Sequence, residues 1–341
     1  MVAETLILVR LMRCTFEAIR EDYPGPRWQA LFRQRWPAYQ QWFLRDGYRA
    51  RPSYLAGRRA LRYHMPELAG LYQQLCELAG GGDLEARFLS QWCPPSYISG
   101  CSQAVWPDPY GKEGPLLVRN YDYSPSLLEG SWLSSRWLGR QVLAMSDCLW
   151  GALDGINEDG LAVSLSFGGR TAVGEGFGIP LVMRYLLEVA GNTATAIAIL
   201  QRLPVHMTYN ITLLDKHNHW ATVFVAPDRP TEVLGRLAVT NHQHRVEWLA
   251  HARATLSEER EWMLSQGVRK AEDSEALLRT MLRPPLFQTA YSRGFGTLYT
   301  AAYRPHSLTA ELLWPDRRWS QHCLDVQDGV LNVRFAANPG D

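Results

Sequence analysis

The chain has no basic block, no long apolar run and no closely spaced pair of cysteines. Each absence removes a class of function. Lys+Arg 35 against Asp+Glu 34 leaves a net charge of +1, and with no basic block nucleic acid is not an expected partner. The opening MVAETLILVRLMR carries Glu4, Arg10 and Arg13 around a four-residue apolar run. That run is too short for a signal-peptide core or a membrane helix, so the expectation is a cytoplasmic protein with no membrane contact. The six cysteines, at 14, 76, 93, 101, 148 and 323, are scattered. Their spacing argues against a zinc ribbon, a dithiol redox motif and a secreted disulfide framework, and most are expected as small buried hydrophobes. Internal repeats are absent, and no low-complexity segment exceeds the Gly80–Gly82 triplet.

What is present is enough to fold. With 341 residues, 46% hydrophobic, the chain can bury the core of one large domain or two smaller ones. Residues 3 to 92 read as helices. RWQALFRQRWPAYQQWFLRDG has helical spacing with a kink or split expected at Pro37, MPELAGLYQQLCELAGGG starts on Pro66 and stops at the glycines, and Asp83 reads as the cap of LEARFLSQW. CPPSYISG, residues 93 to 100, reads as an exposed, extended connector. From 101 the pattern changes to strands: CSQAVW, PLLVRNYD, QVLAMS and GLAVSLSF, parted by turn chemistry such as PDPYGKEG and NEDG. Two helices follow, PLVMRYLLEVA and TATAIAILQRL, the second capped by Asn192 or Thr193. Then come strands MTYNITLLD, WATVFVAP and RLAVTN, a helical block over about 244 to 282, and late strands GTLYTAAY, LTAELLW and VLNVRF. This order predicts α+β layers with largely antiparallel sheets.

The chemistry centres on Cys101. It opens a strand after a flexible connector and follows Gly100, which has no side chain to hinder attack on its carbonyl. Breaking the Gly100–Cys101 bond would give Cys101 both a thiol and a free α-amine, and an α-amine titrating near ~7.7 can act as base at neutral pH. Nucleophile and base would then share one residue. The alternative is a buried structural cysteine.

Other candidates are weaker. His217 and His219 in KHNH read as a hairpin tip more readily than as metal ligands. His242 and His244 flank Asn241, so a papain-like Cys–His–Asn enzyme is conceivable, but it needs a cysteine heading a helix. The glycines of FGGRTAVGEGFG lack the following GKS or GKT of a phosphate loop and suit a hinged, substrate-gating loop. Asn157 reads as a turn residue.

Gly-Cys at a strand start, Arg-Asn-aromatic-Asp eighteen residues on, DGINEDGL, and a strand ending VTN together resemble the penicillin acyltransferase-like family of N-terminal nucleophile hydrolases. The likeness runs over nearly all of 101 to 325, including LSFGGR, GFGIPLVMRYLLE, TNHQHRVEW and WPDRRWSQ, while RPSY, MPEL and CPPSYISGC resemble bacterial members. The resemblance implies a four-layer αββα sandwich, with a helical segment 1–100 released by self-cleavage from a catalytic domain 101–341. It implies Cys101 as nucleophile, first on its own preceding bond and then on substrate. Asp122 would accept hydrogen bonds from the Cys101 amine. Arg119, one position off the spacing for that strand face, would sit near the thiolate and favour it. Asn241 would donate to the oxyanion. Ser166, Phe167 and Thr297 would line the substrate site; an arginine of bile-salt hydrolases, expected near Thr297 or Thr300, is missing. The implied substrate is a small-molecule acyl amide or acyl-CoA thioester, with apolar bulk in the acyl group, whose acyl passes to water or an amine. No metal or other cofactor is implied, and the cut segment can stay associated. A non-catalytic binding protein on the same scaffold is the other alternative.

Overall fold

The computed structural model describes residues 11–336. Its strands are β1 (Leu11–Arg20), β2 (Gly100–Trp106), β3 (Leu116–Tyr123), β4 (Ser131–Ser135), β5 (Val142–Asp147), β6 (Gly151–Asn157), β7 (Leu161–Phe167) and β8 (Tyr209–Asp215). The remainder are β9 (Trp220–Val225), β10 (Glu232–Leu234), β11 (Ala238–Val239), β12 (Gly296–Arg304), β13 (Thr309–Trp314), β14 (Arg317–His322) and β15 (Gly329–Ala336). They form a nine-stranded sheet, β10-β9-β8-β7-β6-β5-β4-β1-β15, and a six-stranded sheet, β11-β2-β3-β12-β13-β14. All pairings are antiparallel except β1 with β4.

The sheets face each other through β2 and β3 against β7 and β8. Helices α5 (Ile179–Val189) and α6 (Thr193–Arg202) cover the large sheet, while α8 (Ser257–Lys270) and α9 (Ser274–Met281) cover the small one. This is the expected four-layer αββα arrangement. Strands β5, β6 and β7 are buried at every position, as layers covered on both faces require. The Asn192 side chain caps α6 by accepting from the Thr195 N–H. The helical block after 244 resolves into α7 (Leu249–Ala254), α8 and α9.

The N-terminal region departs from an all-helical reading. Helices α1 (Pro26–Phe43), α2 (Tyr54–His64), α3 (Ala69–Leu78) and α4 (Asp83–Leu89) are present, and α1 runs on through Pro37. Gly82, not Asp83, is the cap position of α4. Residues 11 to 20, however, form β1, inserted between β4 and β15 of the large sheet. The cause is legible in LMRCTFEAIR: Cys14, Phe16 and Ala18 are buried while Arg13, Thr15 and Glu17 alternate with them, a period of two rather than 3.6. The part of the expected helical region before residue 11 lies outside the described residues.

The connector also differs from expectation. It is extended, but Tyr97, Ser99 and Gly100 are buried, not exposed. Tyr97 donates its N–H to Met207 Sδ at 3.3 Å, and its carbonyl accepts from the Tyr209 hydroxyl at 3.0 Å. The segment is drawn into the body of the fold because it leads directly into β2, an interior strand of the small sheet.

Candidate active site

Strand alternation sorts the candidate residues onto two faces. β2 and β3 pair so that Cys101 opposes Tyr121, Gln103 opposes Arg119 and Gly100 opposes Asp122. Cys101 and Arg119 therefore point into the space between the sheets. Asp122, three residues beyond Arg119, points the other way, toward α8.

On the inner face, Arg119 Nη2 lies 3.3 Å from Cys101 Sγ. Its other amino group pairs with Asp154 on β6, and the hydroxyls of Tyr299 and Tyr303 both donate to the same carboxylate. The guanidinium also lies over the Tyr121 ring. Burial opposes its charge, but its electrostatic contacts, Asp154 among them, prevail and hold Arg119 protonated well above the ordinary range. Both members of the ion pair are fully buried, so the guanidinium is fixed at the sulfur by the facing sheet.

On the outer face, Arg260 of α8 is fully buried. It donates to Asp122 Oδ2 at 2.6 Å, to Asn241 Oδ1 at 2.7 Å and to the Thr255 carbonyl at 2.7 Å. The Thr297 hydroxyl donates to the other Asp122 oxygen at 2.6 Å. Burial nevertheless dominates and lifts the Asp122 carboxyl to about 6, against the pull of Arg260 and Thr297.

Asn241, just past β11, joins the two faces. Its Oδ1 accepts the Cys101 N–H at 3.0 Å, and its Nδ2 donates to the carbonyls of Phe167 at 3.2 Å and Ser99 at 3.4 Å. The Arg260 donor fixes which end of the amide is which. Gly169 permits the fit: at φ +72° it packs on Asn241, and a Cβ there would lie 2.2 Å from the Asn241 carbonyl oxygen. Gly100 packs closely as well, on a side chain rather than on backbone: its Cβ would lie 2.3 Å from Phe295 Cζ.

The structure thus brings Cys101, Arg119 and Asn241 together, with several corrections. In the continuous chain Asn241 Oδ1 accepts the Cys101 amide N–H, while Asp122 lies opposite Gly100 and is held by Arg260 and Thr297. Arg119 and Asp122 form no pair with each other, because an odd spacing along a strand separates their faces. Ser166 donates to the Thr240 carbonyl at 2.6 Å and braces the β7–β8 network instead of lining a cleft. Phe167 packs by its ring on Trp248 and His251 and reaches the site through its carbonyl. Thr297 serves Asp122, and Thr300 bonds Asn120. His242 bonds Ser257 and Glu261, and exposed His244 pairs with Glu232. With Cys101 in a strand and the histidines so engaged, the papain-like arrangement is excluded. Asn157 holds the β6–β7 turn by accepting from the Leu161 N–H, and His217 and His219 sit at the β8–β9 hairpin.

The glycine-rich loop 168–178 is not a free hinge. Gly168, Gly174, Gly176 and Gly178 are stitched by backbone bonds to Thr208, His206, Cys93 and Gln91, so its glycines serve close approach. Asp154, Arg260 and His251 were not singled out from sequence. Arg260 sits in SEEREWM, which reads as a solvated helix face, and nothing local marks it. Burial and nearby Arg260 push the His251 imidazole down to about 4, leaving it neutral. His251, Ser99, Arg253, Gln288, Arg293 and Phe295 help line a cleft of about 620 Å³ beside the Gly100–Cys101 bond. Among the described residues no group of three metal-ligating side chains converges, and no helix is long and apolar enough to cross a membrane.

Solved structures with a similar arrangement include penicillin V acylase from Agrobacterium tumefaciens, at 14% identity and TM-score 0.46, covering 64% of this chain and 84% of that one. A mutant of conjugated bile acid hydrolase from Clostridium perfringens aligns at 10% identity and TM-score 0.45, covering 68% and 96%. The Caenorhabditis elegans ortholog of N-acylethanolamine-hydrolyzing acid amidase aligns at 13% identity and TM-score 0.43, covering 60% and 93%. No curated protein sequence matches the chain. The family model of acyl-coenzyme A:6-aminopenicillanic acid acyl-transferases matches residues 110–319, a stretch that holds Arg119, Asp122, Asp154, Asn241, Arg260 and Thr297 and begins shortly after Cys101. The protein therefore belongs to the acyl-coenzyme A:6-aminopenicillanic acid acyl-transferase family and is an acyl-transferring or amide-hydrolysing enzyme.

Proposed function

We propose that Cys101 is the nucleophile of a self-processing acyltransferase or amidohydrolase. One observation carries this reading: a buried guanidinium contacts the Cys101 sulfur while a fixed amide oxygen accepts the nitrogen of the same residue. In the first step Sγ attacks the Gly100 carbonyl carbon, the C–N bond breaks and the nitrogen takes a proton, leaving Gly100 as a thioester on Cys101. Water then hydrolyses the thioester, releasing the Gly100 carboxyl and restoring the thiol beside a free α-amine.

That amine serves as base in turnover. It takes the thiol proton as the sulfur attacks a substrate acyl carbonyl, and returns it to the leaving group; water or an amine then accepts the acyl group from sulfur. Asn241 Oδ1 lies at the nitrogen, and Asp122 stands across the β2–β3 pair at the new chain end. Departure of the connector removes the Ser99 carbonyl from Asn241 Nδ2 and frees that N–H for the oxyanion. It also uncovers Cys101, which is fully buried in the continuous chain. The substrate is a small acyl amide or acyl-CoA thioester, taken up in the cytoplasm.

Cleavage would divide the chain into 1–100 and 101–341, held together because β1 lies between β4 and β15. Intact mass and N-terminal sequencing test the reading. Wild type should yield a fragment starting at Cys101, and Cys101→Ala should remain one chain; an active protein that stays uncut would refute self-processing.

A further inference from the structure

His242 follows Asn241 directly, and the reaction proposed above does not use it. Both of its ring nitrogens are nevertheless engaged. Nε2 lies 2.7 Å from Glu261 Oε2, and Nδ1 lies 2.9 Å from Ser257 Oγ. Carboxylate, imidazole and hydroxyl in that order would suit a serine nucleophile, but Ser257 is fully buried, so no substrate reaches its oxygen. What reaches it is the main chain of Asn241, whose N–H donates to Ser257 Oγ at 2.9 Å. The Thr240 hydroxyl lies 3.0 Å from the same oxygen and donates to the Ser257 carbonyl at 2.7 Å.

These groups come from one helix face and one strand exit. Ser257, Arg260 and Glu261 stand at i, i+3 and i+4 in α8, so they lie side by side against residues 240–242. Arg260 holds the Asn241 side chain through Oδ1, and Ser257 holds its main chain through the N–H. A free hydroxyl rotates, but the imidazole at Nδ1 restricts where the Ser257 hydrogen and lone pairs point. Glu261 restricts the imidazole in turn, because a carboxylate accepts from Nε2 and fixes the ring's orientation. Arg236 steadies Glu261 by donating to Oε1 at 3.3 Å. The His242 and Glu261 end of this chain edges a cleft of about 580 Å³, while the Ser257 end is sealed.

We propose that Ser257, locked by His242 and Glu261, is a positioning residue for acyl transfer: it sets the main chain of Asn241, and so the aim of that amide at the Cys101 nitrogen and at the oxyanion. This rests on Asn241 being the oxyanion donor. No bond is made or broken at Ser257 or His242, and neither exchanges a proton with substrate. The brace acts through geometry alone. A displacement of about 1 Å can cost on the order of a hundredfold in rate, and with Arg260 still holding the Asn241 side chain the loss on removing the brace is about tenfold.

The test uses the full-length, self-processed protein and para-nitrophenyl hexanoate, with kcat counted per fragment that begins at Cys101. Ser257→Ala should lower kcat about tenfold and leave KM within about twofold, because it loosens the oxyanion donor and removes no substrate contact. Ser257→Thr, which keeps the hydroxyl, should recover most of that rate. His242→Ala should lower kcat less, by about threefold, with the ascending limb of its pH–rate profile in place. In an Asn241→Ala background, Ser257→Ala should cost less than about twofold more, since the brace acts through Asn241. Self-cleavage rates, read by mass, give the same comparisons for any variant too slow to process fully. A kcat within about twofold of wild type in Ser257→Ala, or an equal loss with and without Asn241, overturns the brace. The His242 comparison stands even if Ser257→Ala does not fold, and an unchanged kcat there overturns it too. Near-normal kcat in Asn241→Ala alone is a separate outcome, which removes the oxyanion reading and the brace with it. A wild type that takes no hexanoyl group on Cys101 removes the nucleophile reading as well.

Discussion

Replacing Arg260 with Met removes the one cation that serves both Asp122 and Asn241 while keeping much of the side-chain volume. At 2.6 Å the Arg260–Asp122 attraction is about 6 kcal/mol at an effective dielectric near 20, before desolvation is charged against it. Both partners are fully buried, so removing one leaves an uncompensated carboxylate, and the expected loss is about 3–5 kcal/mol of stability. The loss should depend on pH. In wild type the Asp122 carboxyl already sits at about 6, above its ordinary 3.8, because burial outweighs its partners. A carboxyl raised on folding keeps a proton that the unfolded chain releases, so its contribution to stability falls as pH climbs from the unfolded value to the folded one. Without Arg260 the folded value moves higher still, and the cost keeps growing above pH ~6 at about 1.4 kcal/mol per pH unit. Near pH 5 the carboxyl is neutral in both proteins, and only the lost hydrogen bonds to Asn241 and the Thr255 carbonyl remain. Urea unfolding at about pH 5 and pH 8, in a Cys101→Ala background that keeps one chain, measures both deficits. A deficit equal at the two pH values would refute the argument. So would an Arg260→Met/Asp122→Asn double variant no more stable at the higher pH than Arg260→Met alone.

Asn241→Ala in the processed enzyme should lower kcat by about a hundredfold or more and leave KM nearly unchanged, because the amide serves the oxyanion more than the ground-state carbonyl. Steady-state kinetics on folded protein reads this, and a near-normal kcat would move the oxyanion donor elsewhere. Gly169→Ala combines a positive φ with a Cβ placed on the Asn241 carbonyl, so self-cleavage followed by mass should slow markedly, whereas a wild-type rate would mean that the loop yields freely. His242→Ala should retain the ascending limb of the pH–rate profile, since His242 bonds Ser257 and Glu261; abolished activity in a folded variant would contradict the amine as base.

Local pattern and tertiary structure divided the work along physical lines. Strands such as LAVSLSF and the Asn192 cap depend on neighbours in sequence, so alternation and capping chemistry sufficed to predict them. Gly100, Cys101, Arg119, Asp122 and Asn241 stood out because their spacing resembles a family. β1 was readable too, but its period of two was lost among the helices that follow it. What sequence could not supply was who meets whom. Arg119 reaches Asp154 only because the two sheets stack, and Arg260 reaches Asp122 and Asn241 only because α8 lies over β2. A charged side chain in SEEREWM looks solvated until packing strips its water and obliges it to find partners from distant strands. The buried connector is a similar case: its prolines and serines predict an exposed loop, and its burial follows from leading into an interior strand.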